Sequence, residues 1–209
     1  MRNKTHATIL ILVWLVMSAL IAQGQTTVTT TAPVVALHPR ETVVALHQAI
    51  IAGDVNAMRT CLRDDTQQAK SWNDALINFW SAKSDLARSA DEQLGGMSRL
   101  VLGDECLVLS ESEEIEFSLV GPMSVATFPT NRGTMVLRWR ADRWLVDFES
   151  AAMLGEMKPD EIAKRIADIE RRAAAYRLLR DRLENKEFKS PNGFLAAFNR
   201  IDSMIEAGR

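Results

Sequence analysis

The spacing of apolar residues changes twice along this chain, and that change constrains the fold more than any other feature. Between residues 40 and 94 apolar residues recur every three or four positions, as on one face of a helix. Between residues 98 and 149 the spacing falls to two, and from Pro159 it returns to the helical value. Successive strands with short turns pair antiparallel. The sequence therefore predicts an α+β fold: N-terminal helices packed on a curled antiparallel sheet, followed by a C-terminal helical hairpin.

Two helices separated by a bend are predicted for residues 40–62. Gly53 suits the end of the first helix, and Asp54 can cap the start of the second. A longer helix is predicted from about Thr66 to Leu94. Its apolar stripe, which includes Phe79, Leu86 and Ala90, is one-sided. This predicts that the helix lies on a surface and covers another part of the fold.

Six short segments rich in β-branched and aromatic residues are predicted to be strands. They are residues 98–103, 105–111, 114–120, 124–130, 133–140 and 143–149. The last two form a hairpin that turns at Ala141-Asp142, in which apolar side chains alternate with charged ones. One sheet face is therefore predicted to be apolar and the other charged. Asp147 falls on the charged face, as a solvated or salt-bridged residue with Arg138 as its partner across the hairpin.

Residues 158–207 are predicted to form the C-terminal helical hairpin. The loop of residues 185–189 is short, which favours antiparallel packing of the two helices on each other. We expect intramolecular packing, with weak homodimerisation through any apolar surface left over. The apolar stripes of the two helices consist of Ile162, Ile166, Ile169, Ala173 and Tyr176, and of Phe194, Phe198, Ile201 and Ile205.

Residues 1–24 have the three parts of a secretory signal peptide: a basic start, an apolar run over residues 7–22, and a small-residue cleavage site at Ala22 and Gly24. The run is shorter than the ~20 residues that span a bilayer, which favours cleavage over an uncleaved anchor. Residues 25–39 are rich in threonine and predict an extended linker. The mature protein is therefore expected outside the cytoplasm, periplasmic or secreted, with no stable membrane span.

The charge balance argues against a nucleic-acid partner. Loss of residues 1–24 removes Arg2 and Lys4 and no acidic residue, which leaves 23 of the 25 basic residues and all 27 acidic ones, a net charge of −4. The two signs are interspersed along the chain, whereas nucleic-acid-binding proteins present a basic face.

The chain has two cysteines, Cys61 and Cys106, both in the exported part. One interpretation is a disulfide between them, because an exported protein meets an oxidising compartment. The other is a pair of buried thiols that pack as small hydrophobic groups. Neither cysteine has a neighbouring histidine at zinc-site spacing, and the chain has no glycine-rich phosphate loop. No metal and no cofactor is predicted.

Two stretches carry a family resemblance. The segment AIIAGDVNAM, residues 49–58, breaks a helix at Gly53-Asp54, and TMVLRWRADRWLVDFES, residues 134–150, is a terminal strand pair with Trp144 just after its turn. In this arrangement residues 40–150 resemble the nuclear transport factor 2-like superfamily of cystatin-like α+β cones. The resemblance implies a sheet wrapped around the helices into a cone that can hold a small ligand. The superfamily includes ketosteroid isomerase, dehydratases and exported proteins without known activity, so the fold alone assigns no function.

Candidate site residues are few. Enzymes of this superfamily use acid–base side chains inside the cone, and the candidates here are His47 and Asp54. A histidine on an apolar helix face is more often a packing residue, and an aspartate at a helix start is more often an N-cap, so no catalytic residue is assigned. His47, Trp72, Trp139 and Trp144 are candidates for lining a ligand pocket; alternatively, the tryptophans fill the core.

The leading hypothesis is an exported, non-catalytic binding or interaction module whose partner is a small apolar ligand or a protein. One alternative is a small-molecule lyase or isomerase that uses His47 with a carboxylate such as Asp54. Another is a structural envelope protein that docks through its C-terminal helices. An internal cavity with a polar group facing His47 would favour the enzyme.

Overall fold

The computed structural model describes residues 38–103, 106, 108–109, 112–129 and 133–207, and for residues 202–207 it describes the backbone alone. The predicted signal peptide of residues 1–24, and the linker up to residue 37, lie outside the described residues. Among the described helices, none has both the length and the apolar character required to cross a membrane.

The described part is α+β, as predicted. Its helices are α1 (Pro39–Ala52), α2 (Val55–Cys61), α3 (Gln67–Leu94), α4 (Ser98–Leu102), α5 (Phe148–Ala151), α6 (Pro159–Glu184) and α7 (Pro191–Ala207). Its strands are β1 (Glu116–Val120), β2 (Met123–Thr127), β3 (Thr134–Arg140) and β4 (Arg143–Val146). Two 3₁₀ turns, Ser112–Glu114 and Leu154–Glu156, precede β1 and α6.

The four strands form one antiparallel sheet in the order β1-β2-β3-β4. The register pairs Ser118 with Val125 and Leu137 with Val146. The β3–β4 hairpin turns at Ala141 and Asp142, whose φ angles are +46° and +61°. Positive φ at both central residues is typical of the tight turn that suits the twist of a hairpin. The predicted turn is confirmed.

Two of the six predicted strands are wrong. Residues 98–103 contain helix α4, and the described residues of 105–111, which are Cys106, Val108 and Leu109, are helical as well. Short apolar runs suit a strand and a buried helix equally, so their spacing does not separate the two. Contacts outside the run favour the helix: the Asp91 carboxylate accepts a hydrogen bond from the Ser98 backbone N–H at 2.9 Å, and Val101 and Leu102 pack against other helices.

Helix α1 lies against the apolar face of the sheet. Its residues Val43, Leu46 and Ile50 are almost fully buried, and they pack with Leu137 and Val146 of the sheet. We call this cluster the sheet core, and it also contains Met58, Cys61, Ile77, Trp80, Ile115, Ala126, Phe128, Met135 and Trp144.

The bend between α1 and α2 forms as predicted. Gly53 ends α1 in the left-handed region with φ +69°, where a residue with a side chain is strained. A β-carbon built there would lie 3.1 Å from Nη2 of Arg88. Asp54 caps α2, because its carboxylate accepts a hydrogen bond from the Ala57 N–H at 2.9 Å.

Helix α3 is buried on more sides than its predicted one-sided stripe indicates. Ile77 and Trp80 of α3 belong to the sheet core, but Leu86 and Ala90 belong to a second cluster formed with α4, α6 and α7. We call this cluster the helical core, and it contains Ala82, Ala87, Met97, Val101, Leu102, Ala173, Tyr176, Leu179, Leu183, Phe194 and Ile201. The predicted stripe contains Leu86 and Ala90 but neither Ile77 nor Trp80, so it indicates only one of the two buried faces.

The C-terminal hairpin packs within the chain, as expected. Five aromatic rings connect α3, α6 and the start of α7, with centroid distances of 5.5 to 6.1 Å between successive rings. In order along the contacts they are Phe79, Tyr176, Phe198, Phe194 and Phe188. The described residues from 38 onward belong to one compact unit. Dimerisation through these helices stays a prediction.

Replacing Phe194 by alanine tests whether the hairpin is part of the core. Phe194 is fully buried, and Phe→Ala in a core costs about 3–5 kcal/mol through lost burial and the cavity left behind. We expect the free energy of unfolding, measured by urea denaturation, to fall by about 3 kcal/mol or more. Leu178→Ala is the control, because Leu178 is 62% exposed on α6. Equal effects of the two changes would mean that α7 does not stabilise the fold.

Candidate functional site

The structure does not bring the two acid–base candidates into one site. His47 lies on α1 with 6% of its surface exposed, and its ring meets the Phe128 ring edge-on at 6.4 Å. Asp54 is exposed and caps α2. His47 is therefore a packing residue of the sheet core, and Asp54 is a capping residue.

The tryptophan candidates fill the protein interior. Trp139 and Trp144 face each other across the β3–β4 hairpin, with ring centroids 5.4 Å apart in an edge-to-face contact. Trp72 lies in a separate small cluster with Leu154 and Ile162, where α3 meets α6. The predicted four-residue pocket of His47 and the tryptophans is thus divided between two packed regions.

Both cysteines are free thiols in the structure, so the disulfide candidate is not formed. Cys61 is buried in the sheet core, whereas Cys106 is partly exposed and packs against the helical core. Helix α3 contributes to both clusters and lies between them in the packing. Burial raises the pKa of the Cys61 thiol above its usual value, because the thiolate is poorly solvated there.

An ion-pair cluster surrounds Asp147, which is the one fully buried carboxylate among the described residues. Asp147 is fully buried, and its carboxylate accepts hydrogen bonds from Arg138 Nε at 2.9 Å and Arg63 Nη1 at 3.0 Å. It also accepts bonds from the Ser150 hydroxyl at 2.8 Å and the Ser150 N–H at 3.0 Å. The predicted Arg138 pair is confirmed, and the alternative of a solvated Asp147 is wrong.

The sequence predicts neither Ser150 nor Arg63 in this cluster, and Arg63 makes the more extensive contacts. Its side chain also pairs with Asp65 at 2.6 Å and Glu149 at 3.3 Å. Its backbone N–H donates to the Val146 carbonyl at 2.9 Å, and its own carbonyl accepts from the Asn73 side chain at 2.7 Å. Arg63 thus connects the α2–α3 link, the end of β4 and the start of α5.

The protonation state of Asp147 follows from these contacts. Burial alone would raise the pKa of its carboxyl group, but the hydrogen bonds from Arg138 and Ser150 and the charge of Arg63 outweigh it. The pKa of Asp147 therefore lies below its usual value. An ionised, fully paired carboxylate holds structure together, and its acceptor sites are occupied by protein donors.

Two open grooves lie away from these residues. The larger, about 720 Å³, is lined by His38, Arg40 and residues 113–118, and we call it the Arg40 groove. The smaller, about 510 Å³, lies where α1, α3 and α4 meet, and its lining includes Ile51, Arg88, Arg99, Leu102 and Cys106. Neither groove is lined by His47 or by a tryptophan.

Strand β1 forms one edge of the sheet and borders the Arg40 groove. It pairs with β2 on one side, and no described strand pairs with its other side. In an antiparallel pair alternate residues bond to the neighbouring strand, so the remaining backbone N–H and C=O groups of β1 point to the open edge. At the opposite edge Leu62 bridges to Val146 of β4, and Arg63 donates to the same residue.

The start of α1 holds the start of β1 in place. Arg40 pairs with Glu113 at 2.5 Å and donates to the Ile115 carbonyl at 3.3 Å. Its guanidinium carbon lies 5.7 Å from the centroid of the Phe117 ring, and the His38 ring meets the same phenylalanine edge-on at 5.6 Å. The open edge of β1 is thus presented by a fixed scaffold.

Among the described residues, no group of three histidine, cysteine or acidic side chains is arranged to hold a metal ion. Comparisons of the sequence with protein-family models and curated proteins, and of the structure with solved structures, gave no match.

Replacing Asp147 by asparagine should destabilise the protein strongly. The change leaves the partly buried guanidinium groups of Arg63 and Arg138 without their shared charge, and breaking a buried ion pair costs about 3–5 kcal/mol. We expect a loss of about 3 kcal/mol in urea denaturation at pH 7. The control is Asp74→Asn, whose half-exposed pair with Arg59 contributes about 0–1 kcal/mol.

The pH dependence gives this prediction a second readout. Because the folded pKa of Asp147 is lowered, its contribution is present above its unfolded pKa of about 3.9 and is lost as the pH falls through the folded pKa. The wild-type free energy of unfolding should therefore fall more steeply below about pH 5 than that of Asp147→Asn. Parallel pH profiles of the two proteins would contradict the assignment.

The two cysteines should differ in reactivity. We expect a thiol reagent such as Ellman's reagent at pH 8 to modify partly exposed Cys106 in the native protein, and Cys61 only after unfolding, because Cys61 is buried and its thiol pKa is raised. Cys106→Ser should remove the native reaction. Absence of free thiols in unfolded protein purified without reductant would instead establish the disulfide.

Proposed function

We propose that this protein is an exported, non-catalytic interaction module that binds a protein partner along the open edge of β1. The carrying observation is the exposure of two consecutive aliphatic side chains near the end of this strand. Leu119 is 67% exposed and Val120 is 61% exposed. An exposed strand edge with aliphatic side chains is a template for pairing with another extended chain.

The two side chains point to opposite faces of the sheet. Leu119 pairs in register with Ser124, which is fully buried, so Leu119 extends the core face beyond its covered part. Val120 pairs with Met123 and points to the other face. An added strand would contact one of these side chains on each face while its backbone bonds to β1, which combines main-chain affinity with side-chain selectivity.

The positions of the acid–base candidates support a binding role over a catalytic one. His47 packs in the sheet core, Asp54 caps a helix, and Asp147 is bonded to Arg63, Arg138 and Ser150. Each of these groups therefore has a described role in holding the fold.

Export and family membership are part of the proposal. Export is supported by the basic start, apolar run and small-residue site of residues 1–24. Membership of the nuclear transport factor 2-like superfamily is supported by the helix break at Gly53-Asp54 and by helices that precede an antiparallel sheet. Neither the signal-peptide pattern nor the fold identifies a ligand.

Placing charge on the edge of β1 should remove partner binding. We expect the full chain carrying Leu119→Lys and Val120→Lys to keep its circular dichroism spectrum, because both positions are exposed. We expect the amount of partner that is cross-linked to it in the producing cells, measured by quantitative mass spectrometry, to fall about tenfold or more. The reason is that a buried aliphatic side chain contributes about 1.5 kcal/mol or more to binding.

The matched control is Leu178→Lys, an equally exposed aliphatic position on α6. A partner that is lost with the β1 variant and kept with the control supports the proposal. Equal recovery of every cross-linked protein with the two variants would contradict it.

A further inference from the structure

The chemistry of β1 differs between its two ends. Glu113, Glu114 and Glu116 are exposed at the start of the strand, whereas Leu119 and Val120 are exposed at its end. A chain that pairs along β1 would therefore meet carboxylates at one end and aliphatic groups at the other.

Two of the carboxylates at the acidic end are not neutralised by a described residue. Arg40 neutralises Glu113 through their ion pair. Glu114 and Glu116 form no ion pair or side-chain hydrogen bond with a residue in the described ranges. Charges at a sheet edge favour a partner strand with the opposite charge in register, since opposite charges on paired strands attract and like charges repel.

Two candidates for the strand that pairs with β1 are a second copy of this chain and residues 25–37. Neither offers a positive charge to Glu116. In a symmetric antiparallel pairing of two copies about Ser118, Glu116 of one copy lies opposite Val120 of the other, so no positive charge meets it. Residues 25–37, which directly precede His38, contain no charged residue. Charge complementarity thus favours a different protein.

On the basis of the proposed function, we infer that β1 pairs with an extended segment of a partner protein. This segment carries aliphatic residues and, about four positions after the first of them, a lysine or arginine. The order follows from antiparallel pairing, the pattern of every strand pair in this sheet. The first partner residue then lies opposite Val120 and the fifth opposite Glu116. The second and fourth lie opposite Leu119 and Phe117 on the core face, where aliphatic side chains fit.

The probe for this inference is the fluorescently labelled peptide Thr-Val-Val-Thr-Val-Lys-Thr, titrated with the full chain by fluorescence anisotropy. Its central five residues match the five positions of β1 in antiparallel order. We expect a Kd of roughly 100 μM or below. A peptide with glutamate in place of the lysine should bind about fivefold more weakly, because a cross-strand attraction becomes a repulsion.

A charge exchange identifies Glu116 as the contact. Glu116→Lys should weaken the lysine peptide about fivefold and strengthen the glutamate peptide by a similar factor. Glu156→Lys makes the same charge change at an exposed position outside β1 and should leave the ratio of the two affinities unaltered. If Glu116→Lys does not fold, the comparison of the two peptides on the wild-type protein still tests the inference.

Other outcomes overturn the inference in distinguishable ways. Equal affinity for the two peptides would refute the charge requirement while leaving edge binding and the proposed function intact. Absence of peptide binding together with a concentration-dependent dimer that Leu119→Lys with Val120→Lys abolishes would assign the edge to a second copy. Absence of binding with the outward-facing β1 amides, those not bonded to β2, protected from hydrogen exchange in the monomer would assign the edge to another segment of this chain. Absence of binding with freely exchanging outward-facing amides would mean that the edge takes no such strand. The cross-linking experiment then decides the proposed function separately.

Discussion

The burial of α3 on two sides is the interaction on which the rest of the fold depends. One face supplies Ile77 and Trp80 to the sheet core, and the other supplies Leu86 and Ala90 to the helical core. Small side chains on the second face leave room for close approach of α6, and Phe79 contacts both cores. Helix α3 thus joins the cluster that packs on the sheet to the cluster that packs on the C-terminal hairpin, and burial of apolar side chains of this kind is the main favourable term in folding.

The Asp147 cluster fixes the relation between the helices and the sheet. A buried charge is costly unless it is paired and hydrogen-bonded, and here Arg63 and Arg138 reach Asp147 from different elements. Hydrophobic contacts are non-directional and survive small shifts between elements. The hydrogen bonds to Asp147 are directional, so the same shifts would break them. The cluster therefore contributes to a single arrangement of the α2–α3 link, β4 and α5, and the lowered pKa of Asp147 is a consequence of that role.

The two edges of the sheet differ, and the proposed binding of a partner at β1 rests on this difference. At β4 the edge is met by Leu62 and Arg63. At β1 no described strand covers the edge, while Arg40 holds the start of the strand in place. A fixed edge loses little conformational entropy when a partner strand pairs with it, which is the general advantage of a preorganised binding surface.

The sequence by itself determined the elements whose signals are local: the α1–α2 bend at Gly53-Asp54, the turn at Ala141-Asp142, and the helices of the C-terminal hairpin. Their apolar spacing, caps and turn residues lie within a few positions of one another, so they can be read directly from the sequence. Only the tertiary structure decided that residues 98–102 are helical, that α3 is buried on both faces, and that Cys61 and Cys106 pack in different cores. It also decided the pairing of Arg63 with Asp147, which are 84 positions apart, because a contact between distant segments depends on how whole elements pack and leaves no pattern in the sequence near either residue.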